Sequence, residues 1–575
     1  MKRHLYVLFS LVILASFVLA ACGSATPTQA PTMPPAATQA PAATEAPTAA
    51  MPAFQGMSVA APDCNYGTAD NPAEFKSIEA VDQYTVKFTL CHPDPAFLSK
   101  VAFDVFAIQS KNFLDANGGD SVKMSQTTNG TGPYMLKEWV QGDHITLVAN
   151  PNYWGDKPHQ ATLIFRWSDQ SAQRLLELQS GTVDGIDNPA PEDYATIQGD
   201  TNLKLYPREA LNVFYIGFDH NIKPFDDVNV RQAFAMAIDR QHIVDLFYPA
   251  NSTTADTFVP PSFNPGYTQG FKWYDYNPDQ AKKMLTDAKF DFSQTITLSY
   301  RNVTRPYLPS PDKVAQEVAA ELAKIGVKVK VNEEESTTFL DNTSAGKEGF
   351  YMLGWGVDYP DSTDFYDYHF ANASNAQFGD LYPDLAAAIR AGAQVADPAA
   401  RQADYDKVNQ LIKDLVPMIP VAHGASAVAY KASVKGAYAS PLGDEGFAAM
   451  DNGSDTFVFM QNGEPGALWC ADETDGEALR VCHQLYDGLM AYEPGGVKVV
   501  PGLAESYDVN ADASEWTFHL RQGIKFSNGD ELSANDVVAT FAAQWDASSP
   551  NHKGRTGTFD YFGAFFGAML NAPKQ

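Results

Sequence analysis

The sequence is poor in basic residues, in cysteine and in the short motifs that mark catalysis. Forty lysines and arginines stand against 69 aspartates and glutamates, a formal charge of −29. Outside the first few residues the basic ones form no cluster, which speaks against nucleic acid as a partner. There is no C-x-x-C, and no two of the 11 histidines are spaced H-x-H or H-x-x-x-H, so no metal site is expected. G-x-S-x-G, H-E-x-x-H and a supported S-x-x-K are missing, which leaves an exported hydrolase as the least favoured class. No short repeat period is present, against solenoids and propellers. No apolar run reaches the ~20 residues that a membrane helix needs.

What is there describes a globular, exported protein. Apolar residues make up 45% of the chain, and 35 Phe, 26 Tyr and 8 Trp accompany only 19% charged residues. At 575 residues the chain is long enough for two or more cores. Lys2 and Arg3 precede a 16-residue apolar run, "LYVLFSLVILASFVLA", the dimensions of a signal-peptide core. It ends in Leu19-Ala20-Ala21-Cys22, which resembles the bacterial lipobox and implies lipidation of Cys22. Residues 1–22 are therefore expected to be a lipoprotein signal peptide. The Ala/Thr/Pro-rich residues 23–52 are expected to be a linker. Four cysteines remain in an oxidising compartment, and of their three possible pairings the sequence-local one, Cys64 with Cys91 and Cys470 with Cys482, is favoured.

Along the body, strand and helix signals alternate in an α/β pattern. "YTVKFTL" alternates as a strand, and "SAQRLLELQSG" reads as a helix ending at Gly181. Asn277 and Pro278 open the helix "NPDQAKKMLTDA". Trp516, Phe518 and Leu520 alternate in "WTFHLRQGIKFSNGDELSANDVV", whose turn and Ser533/Asp536 helix start follow at once. That unit looks like the opening of a domain, yet it lies at the end of the chain.

Taken together, "EAVDQYTVKFTL", "GTGPYMLKEW", "NPNYWGDKP", "FDHNIKPFDDVNVRQAFAMAIDR", "AAELAKIGVKV", "MLGWGVDYPD" and "PGLAESYDVN" resemble the extracellular solute-binding proteins, family 5, of ABC importers. The order departs from the family: pieces with which its members usually begin occupy 455–570, after the usual ending near Ala449. The resemblance thus implies an α/β, two-lobed periplasmic-binding-protein-like fold (type II, cluster C-like) in circularly permuted order, with "MDNGSD" joining the old ends. The larger lobe is expected at 53–258 with 421–575 and the smaller at 259–420.

The function implied is capture of short peptides, a dipeptide foremost, by a monomer that delivers them to a membrane permease, with no cofactor. By resemblance to dipeptide binders, Arg305 of "TRPYLP" pairs with the ligand carboxylate and Asp358 of "GWGVDYPD" with its amino group. One fixed charge for each end of a zwitterion is what a water-poor cleft requires. Where those binders carry a Trp between the two motifs, this chain has Ser336 or a neighbour. Tyr307, Trp355, Tyr359 and Trp469 are candidate platforms for a sugar ligand, and Asp472 and Asp475 are candidate cleft-facing carboxylates. An oligosaccharide, a nickel chelate or haem is the alternative cargo.

Overall fold

The computed structural model describes residues 54–68, 71–372 and 375–573. The export signal, the Ala/Thr/Pro stretch and Cys22 lie outside the described residues.

Alternation in the strand Glu515–Leu520 sends Trp516, Phe518 and Leu520 inward. That strand pairs antiparallel with Thr85–Leu90, Trp516 opposite Phe88 and Phe518 opposite Val86. The result is a five-stranded sheet in the order Ser58–Ala60, Phe75–Asp82, Thr85–Leu90, Glu515–Leu520, Ala504–Val509. Helix Ala534–Trp545, started by the Ser533/Asp536 capping box, lays Phe541 and Trp545 against Phe75, with ring centroids 6.2 and 5.5 Å away. Helix Asp560–Phe566 adds Phe562 and Phe566 at 5.8 and 4.8 Å from the same ring. The Ala568 N–H then donates to the Pro72 carbonyl at 3.0 Å. The closing residues of the chain thus complete a core that begins near residue 75. Replacing the fully buried Phe75 by Ala would cost ~3 to 5 kcal/mol.

A seven-stranded sheet adjoins this core, ordered Tyr134–Val140, His144–Ala149, Thr162–Trp167, Thr456–Gln461, Gly185–Asp187, Ser426–Lys431, Leu203–Arg208. The late strand Thr456–Gln461 lies in its middle, parallel to both neighbours. The disulfides Cys64–Cys91 and Cys470–Cys482 both lie in this half of the molecule.

A second core surrounds a six-stranded sheet: Thr253–Thr254, Met418–His423, Asn212–Phe218, Phe350–Gly356, Thr295–Arg301, Lys328–Glu334. It draws buried residues from Leu211 to Ala422. The boundary expected at 258/259 therefore moves to about 211, and residues 211–258 join the second core. Asn212–Phe218 is buried along its whole length, so its pattern carries no sign of which sheet owns it.

Two short connections cross between the sheets, after Arg208 and after His423. Asn212 ties them together: its Nδ2 donates to the Gly424 carbonyl at 2.7 Å, and the Gly424 N–H donates to its Oδ1 at 2.8 Å.

Candidate ligand-binding site

Strands Thr295–Arg301 and Phe350–Gly356 run parallel, so the loops leaving their C-terminal ends emerge at one edge of the sheet. Asn212 pairs with Gly356 at that edge, which places the crossing strands there too. Arg305 and Asp358 sit on these two loops.

The Arg305 loop is shaped from behind. Arg305 and Leu308 exchange backbone hydrogen bonds of 3.2 and 3.0 Å. The Tyr307 ring packs on Gly354, where a Cβ would come within 2.2 Å of it, and a Cβ on Gly424 would come within 2.3 Å of the Pro306 carbonyl oxygen. In front, Nη1 of Arg305 donates to Oε1 of Glu477 at 3.3 Å. Glu477 lies in the first turn of helix Gly476–Leu485, across the divide between the cores. Its charge, with that of Asp475 added, holds the Arg305 guanidinium above its ordinary pKa. Thr304, Arg305 and Pro306 line one wall of a cavity of about 200 Å³, and Asn188, Glu192 and Tyr194 line the other.

Asp358 is 9% exposed. Its Oδ1 accepts from the Tyr561 hydroxyl at 2.9 Å, and the Asp364 carboxyl lies within side-chain hydrogen-bonding reach of it when one of the two holds a proton. Its N–H donates to Oδ2 of Asp364 at 2.9 Å, while Trp355 Nε1 donates to Oδ1 of Asp364 at 3.3 Å. Burial pushes Asp358 up to about 7; burial and the neighbouring Asp358 push Asp364 well above the carboxylate range. Among the described residues no Lys or Arg forms an ion pair with either carboxylate. Two buried acids side by side hold a proton near neutrality and favour any cation that reaches them.

The other candidates divide. Tyr307 is a strut: its hydroxyl accepts from Arg301 Nη2 at 3.1 Å, and its carbonyl accepts from the Tyr248 hydroxyl at 2.6 Å. Arg301 also donates to Ser336 Oγ at 3.1 Å. Trp355 is half-buried and stacked on Tyr368 at 4.8 Å, so one of its faces is taken. Tyr359, 1% exposed, is not a platform, because it is locked against Phe565 at 4.5 Å in the first core. Trp469, also 1% exposed, is core packed edge-on to Phe559 at 5.7 Å. Asp472 does not face the cleft: it accepts from the N–H groups of Thr556, Gly557 and Phe559 and so anchors their loop. Asp475 caps its helix by accepting from the Ala478 N–H at 2.7 Å; burial, then Glu477, pushes it up to about 6.

One group among the described residues has metal-ligand proximity: Asp104, Asp444 and His483, with ligand atoms within 4.8 Å of one another. Burial opposes charge on His483, but Asp104 at 3.1 Å, followed by Asp444, raises it to about 10. Protonated, it serves as their counter-ion, with no lone pair to give.

Sequence reasoning missed Glu477, Asp364 and Tyr561. Asp364 is only six residues beyond Asp358. Glu477 and Tyr561 are separated from their partners by 172 and 203 residues, and no local pattern signals such pairings.

The model of "Bacterial extracellular solute-binding proteins, family 5 Middle" matches residues 33–377 and 498–560. The chain belongs to this family. It is 30% identical over 382 residues to the dipeptide-binding protein of Escherichia coli, covering 65% of this chain and 71% of that one. It is 28% identical over 383 residues to heme-binding protein A of Haemophilus influenzae, covering 65% and 70%. Among solved structures it is similar to the dipeptide-binding protein of a Pseudoalteromonas species in complex with Met-Leu, at 25% identity and TM-score 0.62, over 66% of this chain and 76% of that one. The mixed α/β architecture is that of the type II periplasmic binding proteins.

Proposed function

We propose that this protein is the lipid-anchored, solute-capturing component of an ABC importer, and that it takes short peptides, a dipeptide foremost, between its two cores for delivery to a permease. The observation that carries the peptide reading is the placement of Asp358 and Asp364, a buried acid pair with no Lys or Arg ion-paired to it among the described residues, at the sheet edge that also bears Arg305. A ligand amine would neutralise the acids, and the ligand carboxylate would meet the guanidinium. The similarity to dipeptide-binding relatives supports the same reading. Stacking of Trp355 on Tyr368 weighs against a sugar platform.

The permuted order is part of this proposal. It is supported by the pairing of Glu515–Leu520 with Thr85–Leu90 and by the bridge between Ala73 and Gly567. The anchor is proposed at Cys22 from the sequence alone. Cys22→Ser should move the protein from the membrane to the soluble fraction, and retention in the membrane would contradict the anchor. Native mass spectrometry of the purified protein tests the cargo. A bound short peptide is expected; haem, a nickel chelate or an oligosaccharide in its place would overturn the peptide assignment.

A further inference from the structure

The two ends of the proposed site differ in how the protein balances charge. At the acid pair a ligand cation is wanted. At Arg305 the guanidinium is already matched by Glu477 at 3.3 Å, and Asp475 adds a second carboxylate beside it. Glu477 is 7% exposed. The guanidinium groups of Arg174 and Arg480 also act on Glu477 through space, and that of Arg555 on Asp475, but their hydrogen bonds go elsewhere. Arg174 donates to the carbonyls of Asp187, Ser168 and Asn188, and Arg480 pairs with Asp187 at 2.9 Å and Glu445 at 3.1 Å. Arg301 bonds the hydroxyls of Ser336 and Tyr307.

A neutral dipeptide that places its carboxylate on Arg305 adds a third carboxylate around a guanidinium that already faces Glu477 and Asp475. Glu477, beside Asp475, must then share the one guanidinium that hydrogen-bonds it, with Arg174 and Arg480 acting on it without a hydrogen bond. Drawing a partly exposed Arg305 toward another carboxylate weakens its hold on Glu477, whose side chain is 10% exposed and poorly solvated. A ligand that brings its own cation to this end removes the cost. An acidic side chain there would add to it.

We infer that the site selects short peptides whose C-terminal residue is basic, the peptide carboxylate meeting Arg305 and the lysine or arginine side chain meeting Glu477 and Asp475. This rests on the peptide reading above and specifies its substrate class. The peptide amine still goes to Asp358 and Asp364, so the preferred ligand carries a net positive charge, as the −29 chain would also attract at long range.

The test is calorimetric titration of the full mature chain with Ala-Lys, Ala-Ala and Ala-Glu, in the wild type and in Glu477→Gln. In the wild type Ala-Lys should bind at least about tenfold more tightly than Ala-Ala, and Ala-Glu should be weakest, as expected for close charge pairs out of water. Glu477→Gln keeps the side chain's shape and removes its charge. It should tighten Ala-Ala and bring Ala-Lys to within about threefold of it. Equal wild-type affinities for Ala-Lys and Ala-Glu, or a ranking unchanged by Glu477→Gln, would overturn the inference while leaving peptide binding intact. Should the variant fold poorly, the wild-type ranking measured at high salt, where the long-range field is screened, decides. No heat from any of the three peptides would overturn the peptide reading, and this inference with it.

Discussion

The hydroxyl of Tyr561 donates to Oδ1 of Asp358 at 2.9 Å, joining side chains 203 residues apart and belonging to different halves of the molecule. With Arg305 to Glu477 it forms a pair of cross-links, one from each of the two residues that family resemblance singles out for ligand. Each link holds the halves together through a group that a peptide would compete for. Tyr561→Phe deletes one hydrogen bond and no packing. Denaturant unfolding without added peptide should show a loss of about 1 kcal/mol, and an unchanged midpoint would mean that the bond contributes nothing.

Carboxyl groups with raised pKa set the pH dependence of stability. Burial pushes Asp358, Asp367, Glu473 and Glu321 up to about 7. Each binds more protons folded than unfolded between about pH 4 and 7, so unfolding free energy falls as pH rises through that window. His483 and His92, raised to about 10 and about 9, act in the same direction at higher pH. Asp187, lowered to about 2 by Arg208 and Arg480 against its burial, acts oppositely but only below about pH 4. The Tm without peptide should be higher at pH 5 than at pH 8. Scanning calorimetry showing the reverse would contradict these environments.

Gly424 joins the crossing connection after His423 to the loop that carries Arg305. A Cβ there would meet the Pro306 carbonyl oxygen at 2.3 Å, so Gly424→Ala must displace the loop that carries Arg305. Peptide affinity should fall by about tenfold or more, since a misplaced charge at a buried site loses most of its pairing energy. Unaltered affinity with a normally folded variant would show that the loop position does not matter.

Asn212 offers a contrasting test. Asn212→Ala leaves the donor and acceptor of Gly424 unpaired in a buried place, which should cost about 1 to 3 kcal/mol for each group. Denaturant unfolding reads this directly, and a loss below about 0.5 kcal/mol would indicate that the crossing strands need no such tie.

What could be read in advance follows from the range of the forces involved. Alternation and capping are local, so Glu515–Leu520 and the Ser533 helix start were legible, as was the need for earlier strands to complete them. Membership of Asn212–Phe218 was not, because a strand buried on both faces shows no sidedness. Arg305 and Asp358 could be singled out only through family resemblance. Trp469 and Tyr359 were misread because an aromatic ring in a core and one on a binding face look alike in sequence. Asp472, Asp475 and Glu477 sit within six residues of one another, yet one anchors a loop, one caps a helix and one pairs with arginine. Those roles are assigned by segments packed against them from far along the chain.

In the proposed peptide site the ligand amine is held by the acid pair of Asp358 and Asp364. This is tested most directly by calorimetry of one dipeptide, with a free or an acetylated amino terminus, against the wild type and Asp358→Asn. Acetylation should weaken wild-type binding by roughly 30-fold or more, and Asp358→Asn should bind the free form weakly and lose most of the difference between the two forms. Equal binding of free and acetylated peptide by the wild type, or an unchanged preference for the free amine in Asp358→Asn, would contradict it.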